Sequence, residues 1–208
     1  MKNIKNIVFD FGDVIINIDL TAPAHNFAYM AQISTEESMR MMVEKEVFKK
    51  FEIGALSSEE FRDYVRQVFR RPNWTDSMIN DAWNSVLLDM PADRIEKIKA
   101  LGQKGYRLFM LSNTSPIHIE AAQVILKQVS GVAELSSLFE KLYLSYQIGI
   151  TKPDAAIYDY MLTDAGLVAE ETLFLDDNVA NIEAAKKAGI QTILVQKPTS
   201  IVEYLENF

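Results

Sequence analysis

Between residues 91 and 195 the chain alternates short β-branched or aromatic runs with helical stretches. The runs at 106–111, 142–145, 172–175 and 190–195 read as buried strands. Helical stretches at 93–101, 117–129, 154–164 and 179–187 separate them, and Gly102, Gly166 and Gly189 stand where helices end. Alternation at this spacing predicts a parallel sheet with helices on both faces. A further Ile/Val/Phe run at 4–9 belongs to the same sheet. The expected class is α/β with a doubly wound parallel sheet.

The texture changes between residues 20 and 88, where β-branched runs are few and Met, Glu, Arg and Phe are frequent. Residues 14–18 read as a second extended piece or a flap, and 22–31 as a helix. Ser34-Thr35-Glu36-Glu37 and Ser57-Ser58-Glu59-Glu60 carry the capping-box pattern that opens a helix. Val43, Val47, Phe48 and Phe51 fall at helical spacing on one helix ended by Gly54. Thr75 or Asp76 caps another, running to about Leu88. The reading is a unit of about four helices over 20–88, inserted after the first strand of a sheet domain built from 1–19 and 89–208.

A chain of 208 residues suits one large domain or a domain with an insertion. It lacks cysteine, which excludes disulfides, thiolate metal sites and a cysteine nucleophile. Its net charge of −8 argues against binding nucleic acid or an anionic membrane. No stretch approaches the ~20 apolar residues of a membrane span. Met1-Lys2-Asn3-Ile4-Lys5 has no long apolar run, so no signal peptide is expected, and the expected location is cytoplasmic. An acidic protein that handles phosphate needs local positive charge, which singles out any Lys near its carboxylates.

Two sequence-distant strands end abruptly in carboxylates. Asp10 follows Asn6-Ile7-Val8-Phe9, and Asp176-Asp177 follows Thr172-Leu173-Phe174-Leu175. The carboxyl ends of parallel strands face the ligand crevice, so these groups can meet there. Clustered carboxylates repel unless a cation or proton separates them. Mg²⁺ is usually held by one or two carboxylates plus substrate phosphate. Asp10 could attack phosphorus as a nucleophile, or simply cap the next turn. Gly12 permits a sharp turn and close approach of the backbone to a ligand. Ser112 and Asn113, in the strand-end segment LSNT, could hold phosphate oxygens or form an ordinary turn and N-cap. Lys152, in GITKPD, could neutralise a phosphate and a carboxylate or be a surface lysine. His25 and His118 read as surface or packing residues, and the nine methionines as adaptable packing.

In this order, Asp10 in FDFGDVI, Ser112 in LSNT, Lys152 in TKPD and Asp176-Asp177 in FLDDN resemble the motifs of the haloacid dehalogenase superfamily of hydrolases. The resemblance spans 4–19 and 91–195 and implies a Rossmann-like core with a helical first-type cap after strand 1. It implies that Asp10 is nucleophile and metal ligand, and that Ser112, Asn113 and Lys152 hold the phosphoryl group. It further implies Mg²⁺ bound by Asp10, Asp177 and the Gly12 carbonyl, with Asp176 acting through water. The expected partner is a small phosphorylated substrate. Most phosphatases of this family carry an acid/base Asp at the position of Gly12, a contribution typically worth ~10²–10⁴-fold. Asp13, one residue on, could substitute if the turn aims it inward. An Asp-x-Gly first motif is similar to that of sugar-phosphate phosphatases, including those acting on glucose 1-phosphate. Two alternatives stay open: a metal-free 2-haloacid dehalogenase, and a silent member that binds a phosphorylated ligand.

Overall fold

The structure, a computed structural model, describes residues 3–44 and 46–208. Met1 and Lys2, where the absence of a signal peptide was read, lie outside the described residues, as do the side chains of Val47 and Phe48. Five strands, β1 (Asn6–Phe9), β2 (Arg107–Ser112), β3 (Lys141–Leu144), β4 (Thr172–Asp176) and β5 (Gln191–Leu194), form one parallel sheet in the order β3-β2-β1-β4-β5. Helices α1 (Ala22–Ala31), α2 (Thr35–Glu44), α3 (Val47–Glu52), α4 (Ser58–Phe69) and α5 (Asp76–Asn84) follow the first strand. Then come α6 (Ala92–Gln103), α7 (Pro116–Ser130), α8 (Ser145–Ile148), α9 (Ala155–Ala165), α10 (Val179–Lys187) and α11 (Ile201–Tyr204).

Alternation of side chains along each strand splits the core into two layers. Ile7 and Phe9 of β1, Leu108 and Met110 of β2, and Leu173 and Leu175 of β4 share one layer. Ile98 of α6, Leu126 of α7 and Ile201 of α11 cover it. Val8, Phe109, Leu111 and Phe174 face the other layer, under Met161 of α9 and Ile182 of α10. The sheet is buried on both faces, which is why its strands read as continuous apolar runs. Phe9 pairs with Met110 on one side and Leu175 on the other. The next residues, Asp10 and Asp176, therefore leave the sheet side by side at its carboxyl edge. β1 is also where the chain order reverses, the position where open α/β sheets form their crevice.

Helices α1–α5 enclose an aromatic cluster of their own. Phe51 stacks on Phe61 at 4.1 Å, and Phe27 on Phe69 at 5.1 Å. Ser34 accepts from Glu37 N (3.1 Å), Ser57 and Glu60 form a reciprocal capping box, and Thr75 accepts from Met78 N (3.2 Å). The expectation of about four helices is corrected to five among the described residues. The single helix expected through Val43 and Phe51 is interrupted because Glu46 adopts a left-handed conformation (φ 52°) that no α-helix continues. α5 stops at Asn84 rather than near Leu88 because the following backbone pairs elsewhere. Residues 17–19 run beside 86–89, with Asn17 N on Asp89 O (2.9 Å), Leu88 N on Asn17 O (2.9 Å) and Asp19 N on Val86 O (2.9 Å). Residues 14–18, expected as an extended piece or a flap, form a turn carrying isolated bridges, Gly12 to Ile16 and Ile18 to Leu87.

Leu173 is fully buried in the centre of the sheet. Leu173→Ala is expected to destabilise the protein by about 2–5 kcal/mol, read as a lower urea midpoint at unchanged m-value. A loss below about 1 kcal/mol would contradict the packing described.

Candidate active site

Asp10 sits one residue beyond β1, buried, with its N–H donating to Leu175 O (2.8 Å). Its Oδ1 lies 2.6 Å from Lys152 Nζ, and the same ammonium lies 2.7 Å from Asp176 Oδ2. All three residues are buried. Burial pushes the Asp10 carboxyl above the ordinary range, with Lys152 opposing the rise and Asp176 adding to it. Burial alone would lower the Lys152 ammonium, but Asp10 and Asp176 outweigh it and raise it, so this lysine is charged.

Asp176 is fully buried and its oxygens are well supplied with donors. Asn181 Nδ2 lies 3.0 Å from both, and Asn178 N donates to Oδ1 (2.8 Å). Asn178 also caps α10, so the turn that starts the helix orients this carboxylate. Asp177 projects at the exposed rim, its carboxyl pushed up by partial desolvation and by the charges of Asp176 and Asp13. Oxygens of Asp10, Asp176 and Asp177 lie within 4.8 Å of one another. One buried ammonium cannot neutralise three carboxylates, and a set of hard oxygen donors this close fits a hard divalent cation.

The loop after β2 is tied down residue by residue. Ser112 is buried at the strand end. The side chain of Asn113 is engaged with the main chain of Lys152. Its Nδ2 donates to Lys152 O (2.9 Å) and its Oδ1 accepts from Lys152 N (2.9 Å). Asn113 thus brackets the main chain of the lysine whose ammonium joins the two aspartates. Ser145, unforeseen in the sequence, accepts from Thr114 N (3.0 Å) and donates to Thr114 O (3.2 Å). Ser115 accepts from His118 N to cap α7 and from Trp83 Nε1 (3.0 Å), a side chain of α5. His118 stacks on Trp83 at 4.8 Å and donates from Nε2 to Trp83 O (3.2 Å). It is the packing residue the sequence suggested, while His25 lies at the exposed surface beside Thr35.

Gly12 has no side chain to offer, and the space beside it is filled. A Cβ there would meet Ile18 Cδ1 at 2.8 Å. Asp13 adopts φ 53°, and its Oδ1 accepts from Ile18 N (3.1 Å) and pairs with Lys197 Nζ (2.7 Å). Asp13 and Lys197 share with Asp177 the lining of a cavity of about 280 Å³.

The family profile of haloacid dehalogenase-like hydrolases matches residues 4–189. The chain belongs to this family. It is 34% identical over 189 residues to D-ribitol-5-phosphate phosphatase of Bacteroides thetaiotaomicron, covering 91% of this chain and 90% of that protein. A HAD family enzyme of the same organism, solved in complex with magnesium and inorganic phosphate, superposes with a TM-score of 0.83 at 29% identity, covering 97% of this chain and 98% of that one. A HAD-like family hydrolase from Porphyromonas gingivalis superposes with a TM-score of 0.87 at 32% identity, covering 99% and 97%. Among the described residues, no helix of this haloacid dehalogenase-like hydrolase is long and apolar enough to cross a membrane.

Burial lowers the His118 imidazole to about 4, from an ordinary 6.5. A depressed folded-state value means the native protein binds this proton less tightly than the unfolded chain. The contribution is fully present above 6.5 and is lost as pH falls toward 4. His118→Phe keeps an aromatic ring against Trp83 and removes the titration. The difference in unfolding free energy between wild type and variant should shrink from pH 7 to pH 4; a pH-independent difference would contradict a neutral buried imidazole.

Proposed function

We propose that the chain is a Mg²⁺-dependent phosphatase acting on a small phosphorylated metabolite, a sugar or sugar-alcohol phosphate, through an aspartyl-phosphate on Asp10. The observation that carries this reading is the charged, buried Lys152 held between Asp10 and Asp176. Likeness to a pentitol phosphate phosphatase supports the substrate class, and the phosphate in a related structure supports the ligand chemistry. Asp10, Asp177 and the Gly12 carbonyl would hold the magnesium directly. Asp176, its oxygens already occupied by Lys152, Asn181 and Asn178, would act through water. Bound there, the metal supplies positive charge to the phosphoryl oxygens.

In the proposed first step an Asp10 oxygen attacks phosphorus and the ester P–O bond breaks, releasing the alcohol oxygen, which takes a proton from water. In the second, water attacks phosphorus, the P–O bond to Asp10 breaks, the carboxylate returns and phosphate leaves, the proton of the attacking water passing to the hydroxide left by the first step. Lys152 neutralises both the carboxylate and the transferring group, and the Ser112 hydroxyl donates to a phosphoryl oxygen. Asn113 is read as a positioning residue for Lys152 rather than a phosphate ligand through its side chain. Asp13 is committed to Ile18 and Lys197, so it is read as a structural clasp rather than a replacement acid/base. Residues 20–88 are read as the cap that closes over the crevice. A metal-free dehalogenase would leave three mutually repelling carboxylates with a single lysine, which disfavours it.

Phosphate release from D-ribitol 5-phosphate and related sugar phosphates is expected with Mg²⁺ and abolished by EDTA; Asp10→Asn should be inactive. Halide release from a 2-haloacid that survives EDTA would overturn the reading. Asn113→Ala should lower kcat about tenfold or more through loss of the two bonds that fix Lys152, with Lys152→Ala more damaging still. Full activity in Asn113→Ala would show that Lys152 needs no such bracket.

A further inference from the structure

Gly12, whose carbonyl would reach magnesium, sits in a turn that leaves that carbonyl unused. Phe11 O accepts from Ile15 N (2.8 Å) and Ile16 N (3.0 Å), and Asp13 N donates to Ile16 O (2.7 Å), so the turn bonds on either side of Gly12. Among the described residues, nothing donates to the Gly12 carbonyl. A peptide is planar, so the direction of this carbonyl is set by the rotations on its two sides, one of which is φ of Asp13. That angle is 53°. It lies in the left-handed region, which is costly for a residue with a side chain and persists only where the surroundings impose it.

Two contacts beyond the Ile16 bond hold Asp13 there. Its Oδ1 accepts from Ile18 N (3.1 Å) and pairs with Lys197 Nζ (2.7 Å). Ile18 is fixed in turn by its bridge to Leu87. Lys197 comes from beyond β5, two residues after Val195, whose N–H donates to Asp176 O (2.9 Å). Residues 195–197 wall, with Asp13 and Asp177, the cavity of about 280 Å³ beside the carboxylates. An ion pair with so exposed a lysine adds little to stability, so its effect is on the conformation of one strained residue. We propose that Lys197 is a positioning residue for magnesium. It holds Asp13, and through it the Gly12 carbonyl, in the orientation that completes the ligand set with Asp10 and Asp177. This rests on the metal reading above. Mg²⁺ demands near-ideal octahedral geometry at short distance, whereas Ca²⁺ accepts irregular ligand sets. Loosening the Gly12 carbonyl therefore costs Mg²⁺ more than Ca²⁺. A mere change of charge near the site acts on both alike, because both ions are divalent.

The test titrates Mg²⁺ and, separately, Ca²⁺ onto the metal-free protein by calorimetry, so no turnover is involved. Lys197→Met keeps the apolar stem and removes the ammonium. In this variant the ratio of Kd for Mg²⁺ over Kd for Ca²⁺ should rise about twofold to fivefold above wild type. Asp13→Gly adopts the left-handed angle without cost but carries no carboxylate. In that background Lys197→Met should leave the ratio where Asp13→Gly alone puts it, because the lysine acts through Asp13. An unmoved ratio in Lys197→Met, equal shifts for the two ions, or the same rise in the Asp13→Gly background overturns the assignment. A wild type that binds neither ion defeats the metal reading and the assignment together, whereas Mg²⁺ binding with an unmoved ratio defeats the assignment alone.

Discussion

The site depends on one ammonium group. Lys152 Nζ, buried, lies 2.6 Å from Asp10 and 2.7 Å from Asp176. Desolvating a lysine and two aspartates together is expensive, and the attraction between them compensates only when geometry is good and the remaining lone pairs are filled. Both conditions hold here. Asn181 and the Asn178 amide take up the rest of Asp176. Asp10 keeps the greater freedom, since Lys152 is its side-chain partner and its carboxyl is raised by burial. That asymmetry suits one carboxylate to hold the frame and the other to react.

The position of that ammonium is fixed by the chain around it. Asn113 grips the Lys152 main chain from both its N–H and its carbonyl, so the loop after β2 is tied to the segment before α9. Ser145 and Ser115 extend this grip, the first to α8 and the second through Trp83 to α5. Among the described residues, two contacts join the helical layer to the carboxyl edge of the sheet. One is the Trp83–His118 stack; the other is the contact of Gly54 with Tyr146. The packing of this helical layer is set by the aromatic cluster of Phe51, Phe61 and Trp83.

Much of the fold was legible because its signals are local or periodic. Apolar strand runs, capping serines at Ser34 and Ser57, and glycines at helix ends each act within a few residues, and the elements appear where these signals stand. The left-handed turn at Glu46 was not legible, because glutamate carries no preference for that conformation. The pairing of residues 17–19 with 86–89 was equally hidden, since neither strip has a strand pattern and each is defined only by the other. At the site, residue types announced themselves at strand ends. The work each does was less visible: Asn113 looks like a phosphate ligand in sequence, and only its two bonds to Lys152 reveal a bracket.

The sequence by itself determined the parallel sheet, the positions of Asp10, Ser112, Lys152 and Asp176-Asp177 at its carboxyl edge, and the vacancy of an acid at Gly12. The sheet and its strand-end carboxylates follow from apolar periodicity and the chemistry of single residues; the placing of Ser112 and Lys152 and the missing acid at Gly12 follow from the resemblance to haloacid dehalogenase superfamily motifs. Tertiary structure alone decided that Lys152 lies between two aspartates, that Ile18 fills the space beside Gly12, that Asp13 is drawn to Lys197, and that Gly54 meets Tyr146. Each of these is a contact between residues distant in the chain or across a turn. Such contacts depend on register and packing that no local signal encodes.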